Sequence, residues 1–144
     1  MNDPHPSDYV KALVPHGLNL NAPLPAAPAL CVIAVKPQMM GEALPAIAAL
    51  GTGNTLFVSI AAGTTLGALA KALGPQARII RAMPNTPAAI ARGITAIIGN
   101  ANATAEDITL ATAALYDEWV VVEEAIAGRE IEFAVLGDRN PQVS

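Results

Sequence analysis

Aromatic residues make up only 3% of this 144-residue chain, charged residues 14%, and there is a single cysteine. So few rings exclude a core of stacked aromatics. With 53% hydrophobic residues, the core must be mostly Ala, Val, Ile and Leu, a mix that suits parallel strands covered on both faces. Cys31 sits in an apolar run and cannot form an internal disulfide, so a reducing, cytoplasmic setting is expected. No apolar run approaches the roughly 18 residues of a membrane span. The opening MNDPHPSDY has neither a basic region nor an apolar stretch, so no secretory signal is expected. Lysine and arginine nowhere cluster and the net charge is −4, which argues against a nucleic-acid partner. His5 and His16 have no cysteine or carboxylate at ligand spacing, so no metal site is expected. Gly-x-Ser-x-Gly, His-Glu-x-x-His and phosphate-loop patterns are all missing.

What remains is an alternation of strand and helix signals. ALCVIAV (29–35) reads as a buried strand. PQMMGEALPAIAAL (37–50) starts with proline at a plausible first helical position and shows helical spacing, with Pro45 expected to kink or shorten the helix. TLFVSIAAG (55–63) is a second strand. TTLGALAKALG (64–74) is a helix capped by Thr64 or Thr65 and stopped at Gly74-Pro75. ARIIRAM (77–83) is a third strand, Thr86-Pro87 opens a short helix, and GITAIIGN (93–100) is a fourth strand. Thr104 caps a helix beginning AEDITLATAAL, with Glu106 and Asp107 where the helix dipole favours acids. WVVVEE (119–124) and EIEFAVLG (130–137) read as a final strand pair. Short links between alternating elements predict right-handed crossovers and a parallel sheet, with ligands beyond the strands' carboxyl ends.

Three loops follow those strand ends. AVKPQ (34–38) could bring backbone groups and the Lys36 cation to a phosphate or ribose, or be a plain strand-to-helix turn. SIAAG (59–63) has side chains small enough for a flat ring to approach the backbone, although tight helix-on-sheet packing needs the same residues. MPNTP (83–87) is the sharpest of the three. Pro84 fixes φ, Asn85 and Thr86 offer hydrogen bonds, and Pro87 fits a helix start with Thr86 as its cap. A cap leaves Asn85 and the second proline unexplained, and together these would freeze donors and acceptors at a site.

AVKPQ, SIAAGTTLGALAKALG, RIIRAMPNTPAAIARGITAI and NANATAED, in this order and at these separations, resemble pyrroline-5-carboxylate reductase over about residues 1–112. That family reduces a cyclic imine, 1-pyrroline-5-carboxylate, to proline with a nicotinamide cofactor. The resemblance implies an α/β, partial Rossmann-like parallel sheet, with cofactor contacts from Ala34, Val35, Lys36, Pro37, Ala61, Ala62 and Gly63. It sets Asn21 near the adenosine half and Met83, Pro84, Asn85 and Thr86 near nicotinamide and imine. No residue is implied as a strong acid or base, because the cofactor carries the hydride. Asp3 would fall near the adenosine 2′ position. An acid there favours a free 2′-hydroxyl, whereas the family often prefers the phosphorylated cofactor, so NADP is the first expectation and NAD the second.

The chain departs from the family twice. It begins at MNDP, inside what would be the second strand–helix link, so the first strand and its Gly-x-Gly-x-x-Gly pyrophosphate turn are expected to be missing. From residue 113 it does not continue into the helical domain through which the family oligomerises. Instead YDEWVVVEEAIAGREIEFAVLGDRNPQVS (116–144) resembles the ATP-grasp region of D-alanine–D-alanine ligase, with GREIEFAVLG (128–137) the specific part, or else a plain acidic hairpin. By that resemblance Glu123, Glu124 and Ile126 would lie near adenine and Glu130 near ribose. The phosphate-binding and substrate parts of the ligase are missing, so this piece is not expected to ligate. The charge shifts just before the expected junction at 108–116: residues 1–104 carry six basic and three acidic residues, and residues 105–144 carry two and nine. The expected product is a reductase fragment (1–112) with an unrelated tail (113–144), inactive on its own. The alternatives are a non-catalytic remnant that associates with a complete reductase, a composite reading frame, or a ligase fragment.

Overall fold

The computed structural model describes residues 1–90, 92–115, 119–122, 135–136 and 142–143. Strands β1 (Leu30–Ile33), β2 (Leu56–Ser59), β3 (Arg78–Pro84), β4 (Ile94–Gly99) and β5 (Trp119–Val122) form one sheet in that order. Helices α2 (Met40–Ile47) and α3 (Leu66–Leu73) cover one face and α4 (Ala105–Leu115) the other. A short helix α1 (Asp8–Ala12), capped by Ser7, precedes β1. It carries no buried residue, hence no apolar stripe that periodicity could register.

Side-chain alternation along the strands builds two half-cores. Ile33, Phe57 and Ile79 face Met40 and Leu44 of α2 and Leu69 and Leu73 of α3. Leu56, Val58, Ile80, Ala82 and Ile97 face Ala111 of α4. Phe57, Leu69, Ile79 and Ile80 are wholly buried, each stabilising the fold by about 1.5–3 kcal/mol through area removed from water. Pro45 lies inside α2, which ends two residues later and tightens into a 3-10 turn at Ala48–Thr52. Proline cannot donate to Gly41, so the helix loses a rung where shortening was expected. That turn brings Gly51 against α3, where a Cβ would run into the Leu73 carbonyl.

The sheet is mixed, not wholly parallel. β1, β2 and β3 are parallel, β3 and β4 antiparallel, and β4 and β5 parallel. Residues 85–93 are too few for a parallel crossover, which takes a dozen or more. They fold as a 3-10 turn, Thr86–Ile90, and β4 returns alongside β3. Asn85, rather than Thr86, precedes the first residue of that turn. The C-terminal hairpin also differs from expectation. Trp119–Val122 joins the main sheet, and the two-stranded antiparallel sheet pairs β6 (Val135–Leu136) with β7 (Gln142–Val143). Residues 123–134, with Glu123, Glu124, Ile126 and Glu130, lie outside the described residues.

A polar network locks α4 to the sheet at the end opposite the three loops. Thr104 and Asp107 cap each other: the Asp107 N–H donates to Thr104 Oγ1 (3.2 Å) and the Thr104 N–H to Asp107 Oδ2 (3.0 Å). Arg78 Nη1 donates to Asp107 Oδ1 at 2.7 Å. Among the described residues no helix is long and apolar enough to cross a membrane.

Candidate functional site

Parallel pairing aligns the carboxyl ends of β1, β2 and β3. Ile33 stands beside Ser59, and Ser59 beside Arg81. The loops that start at Ala34, Ile60 and Asn85 therefore leave the same edge of the sheet. β3 runs three residues beyond this register to Pro84, so its loop starts further out.

The first loop has Ala34, Lys36 and Pro37 exposed and Val35 half-buried. Lys36 has extended backbone (φ −61°, ψ 147°), and Pro37 opens a 3-10 turn that feeds α2. In the second loop Ala61 is buried, and its N–H donates to the buried Ser59 hydroxyl at 3.4 Å. Ala62 and Gly63 are exposed. Gly63 has φ +69° with open space where a Cβ would stand, so only its backbone conformation favours glycine. Thr65, not Thr64, caps α3, accepting from the Ala68 N–H at 3.2 Å.

In the third loop Met83 and Pro84 are half-buried, and Asn85 and Thr86 exposed. The Asn85 N–H donates to the Ile94 carbonyl at 3.2 Å, and Asn85 Oδ1 accepts from the Ile94 N–H at 2.9 Å. This asparagine extends the β3–β4 ladder by one rung, which explains its place after Pro84. Behind the rim, Arg81 is buried on the same face as Ser59, and Thr95 is buried opposite Pro84.

An open groove of about 390 Å³ lies beside the first loop, lined in part by Asp3, Asn21, Val35, Met39, Glu42 and Ala43. It brings together two of the residues singled out from the sequence, Asn21 and Val35, with Asp3. Asn21 has φ +53°, and its amide grips the Asp3 backbone: Oδ1 accepts from the Asp3 N–H at 2.8 Å, and Nδ2 donates to the Asp3 carbonyl at 2.9 Å. The Asp3 carboxylate accepts from the His5 N–H at 2.8 Å. Met39, Glu42 and Ala43 were not anticipated. Met39 ends the 3-10 turn that feeds α2, and Glu42 and Ala43 stand in the first turn of α2; their signal was only the helical spacing of residues 39 and 43. Ala61–Gly63 and Met83–Thr86 are not among the groove's lining; they belong to the rim.

Cys31, half-buried in β1, has its thiol pKa raised by loss of hydration. The Glu106 carboxyl is held below its usual range by a hydrogen bond to its own backbone N–H and another to Thr104. Among the described residues no group of three His, Cys, Asp or Glu could hold a metal ion.

Comparison with known proteins finds two likenesses in one chain. Over 74 residues it is 51% identical to the pyrroline-5-carboxylate reductase of Escherichia coli K12, covering 51% of this chain and 28% of that protein. A Synechocystis pyrroline-5-carboxylate reductase is 45% identical over 69 residues, covering 48% of this chain and 25% of that one. The matched stretch thus spans about a quarter of these relatives. A solved Coxiella burnetii pyrroline-5-carboxylate reductase superposes with a TM-score of 0.66 at 27% identity, over 69% of this chain and 38% of that one. A Plasmodium falciparum pyrroline carboxylate reductase with NADP bound shares the fold, with a TM-score of 0.69 at 23% identity over 87% of this chain and 45% of that one. Residues 93–144 match a family model described as the D-ala D-ala ligase C-terminus.

Proposed function

We propose that residues up to β5 form the cofactor-facing part of a reductase that converts 1-pyrroline-5-carboxylate to proline with NADH or NADPH. One observation carries this reading: the register of β1, β2 and β3 sets three loops of suitable chemistry on one sheet edge. Such edges are where open α/β sheets bind nucleotides. The residues fit a dinucleotide. Ala62 and Gly63 are small and exposed, with open space before Gly63, and leave room for a flat ring, while Ala61 packs into the core beneath them. Lys36 supports the phosphates, and Val35 with the neighbouring groove takes the adenosine half.

When bound, the cofactor supplies a hydride to the carbon of the C=N bond. The chain's own task is to position and to exclude water. Met83 and Pro84 form an apolar floor at the rim. Asn85, fixed on Ile94, keeps that floor from shifting. Thr86 offers a hydroxyl to the imine carboxylate. The imine nitrogen takes its proton from solvent before the ring binds, as the iminium, so none of these groups must gain or lose a proton.

The sequence has no Gly-x-Gly-x-x-Gly run, so these residues alone give the pyrophosphate no such turn. They are expected to bind the cofactor weakly and not to turn over unaided. A fluorescence titration of the full 144-residue chain with NADPH and NADH, beside an imine-reduction assay, tests this. Saturable binding without turnover supports the reading. Absence of any binding at millimolar cofactor sinks it.

The ligase-like match at 93–144 supports a second reading, a nucleotide-binding tail. Against it, 94–99 and 105–115 are built into the reductase-like sheet and its covering helix. ATP-induced thermal stabilisation of the chain would favour this second reading.

A further inference from the structure

We propose that the free edge of β1 is a self-association surface: two copies of this chain join their sheets antiparallel along residues 30–34, across a two-fold axis at Val32. The pairing needs neither cofactor nor substrate and stands apart from the reductase reading.

Backbone direction fixes what the edge offers. β1 stands at one end of the sheet order, and among the described residues it pairs with β2 alone. The Ala29 carbonyl accepts from the Leu56 N–H at 3.0 Å, and the Ile33 carbonyl from the Ile60 N–H at 3.1 Å. Residues 29, 31 and 33 therefore aim their backbone groups at β2, and strand alternation aims those of Leu30, Val32 and Ala34 away from the sheet. These outward donors and acceptors, spaced two residues apart, are symmetric about Val32. An antiparallel second copy matches them all. Val32 exchanges both of its bonds with its own counterpart, and Leu30 exchanges both with Ala34 of the second copy, in either direction.

The side chains agree with that register. An axis normal to the sheet keeps each face on its own side, so residues of equal parity meet. Val32 stands beside Val58 on the face that α4 covers, yet is 50% exposed. The axis sets it against its own counterpart, a β-branched cross-strand pair. On the other face Cys31 meets Ile33 of the second copy. Charge permits the approach. No lysine, arginine, aspartate or glutamate lies between Lys11 and Lys36, and no proline interrupts residues 29–35. The strand thus lacks the charges and prolines that commonly keep edges apart. Lys36 of each copy stands well past Val32, so the two cations lie about 27 Å from one another, beyond the roughly 8 Å over which exposed charges act in physiological salt. An uncharged edge offers nothing to an acidic or basic strand, whereas a second copy brings one equally uncharged and apolar. The joined stretch is short against the roughly 20–30 residues a side of a standard interface, so the dimer is weak, with Kd in the micromolar range.

Sedimentation equilibrium of the full chain, from about 1 to 500 µM, should show a reversible monomer–dimer equilibrium. Val32→Lys sets like charges directly opposite each other at the axis, on a side chain already half-exposed, and should weaken dimerisation about fivefold or more. Mixed one to one with Val32→Glu, it should dimerise again, because unlike charges then face each other; neither variant should do so as well alone. Circular dichroism on each variant checks that the fold is kept. Amide hydrogen exchange reads the unaltered chain directly: protection at Val32 should rise with protein concentration, while Cys31 and Ile33, already bonded to β2, stay constant. A monomer at every concentration overturns the proposal. So does a dimer that Val32→Lys leaves intact, or a Val32 amide that exchanges freely within the dimer. If Val32→Lys loses the fold, the exchange measurement on the unaltered chain decides.

Discussion

Asn85 holds Ile94 by two hydrogen bonds, backbone to carbonyl at 3.2 Å and side-chain oxygen to N–H at 2.9 Å. The corner between β3 and β4 therefore closes on itself before any ligand arrives. Asn85→Ala removes the second bond and leaves the exposed Ile94 N–H to water. The expected cost is about 1 kcal/mol, near the usual net worth of one hydrogen bond. Asn85→Asp keeps the acceptor and should cost less than about half of that. Urea denaturation of the two variants checks the order. An alanine variant as stable as the parent would show that the side-chain bond adds nothing to the corner.

A second closed unit sits at the far end of the sheet. The Asp107 carboxylate accepts from Arg78 at 2.7 Å and from the Thr104 N–H at 3.0 Å, and its residue is 5% exposed. Asp107→Ala strands a partly buried guanidinium and uncaps α4. Breaking such a pair costs about 3 kcal/mol, the lower end for a buried ion pair, because Arg78 keeps some access to water. Asp107→Asn retains one acceptor oxygen and should cost about half as much. The measurement is again the denaturation midpoint. An alanine variant within experimental scatter of the parent would remove this pair from the account of how α4 is docked.

Much of this architecture was legible because local signals agreed with one another. Continuous apolar runs at 29–35, 55–63 and 77–83 read as strands, although β1 stands at the end of the sheet order with Val32 exposed rather than buried; Thr64 or Thr65, Gly74 and Thr104 marked the helix ends. The loops at Lys36, Gly63 and Asn85 could be assigned to one rim because parallel strands share their carboxyl edge. What stayed hidden depended on distance in sequence. The antiparallel return of β4 is a matter of loop length, not of residue type. Asn21 looked like a ligand-facing amide. Its bonds to Asp3 span 18 residues, and no periodicity reports such a contact. The groove wall at Met39, Glu42 and Ala43 likewise emerges only once α2 is set against the amino-terminal segment.

Cys31 gives a prediction about pH. Loss of hydration raises its folded-state pKa, so the folded chain prefers the neutral thiol. In the unfolded chain the thiol ionises at its ordinary, lower pKa. Stability linked to this residue is thus fully present below the ordinary thiol range and is lost as pH rises from that range through the raised folded value. Iodoacetamide at pH 8 should alkylate Cys31 slowly in the native chain and quickly in urea. Cys31→Ala should flatten the alkaline loss of stability. Equal alkylation rates in both states would contradict the burial.

The boundary between the two likenesses can be tested by truncation. A junction at 108–116 would fall within α4, yet that helix runs unbroken over Ala105–Leu115, and Trp119–Val122 pairs with β4 in the same sheet. The fold shared with the Plasmodium protein covers 87% of this chain, more than residues 1–112 provide. We propose that the cooperative unit ends after Val122. Cutting after residue 115 would strip β5 from Ile94–Ile97 and open a flat edge bearing exposed Ile94, a template for self-association. Cutting after residue 122 would keep that edge covered. The 1–122 form should therefore melt within a few degrees of the full chain and remain monodisperse in size-exclusion chromatography. The 1–115 form should melt lower by about 5 °C or more, on the scale of at least 1 kcal/mol for a domain of this size, and should self-associate. Identical melting of the two truncated forms would mean that β5 contributes nothing to the unit, and would return the boundary to α4.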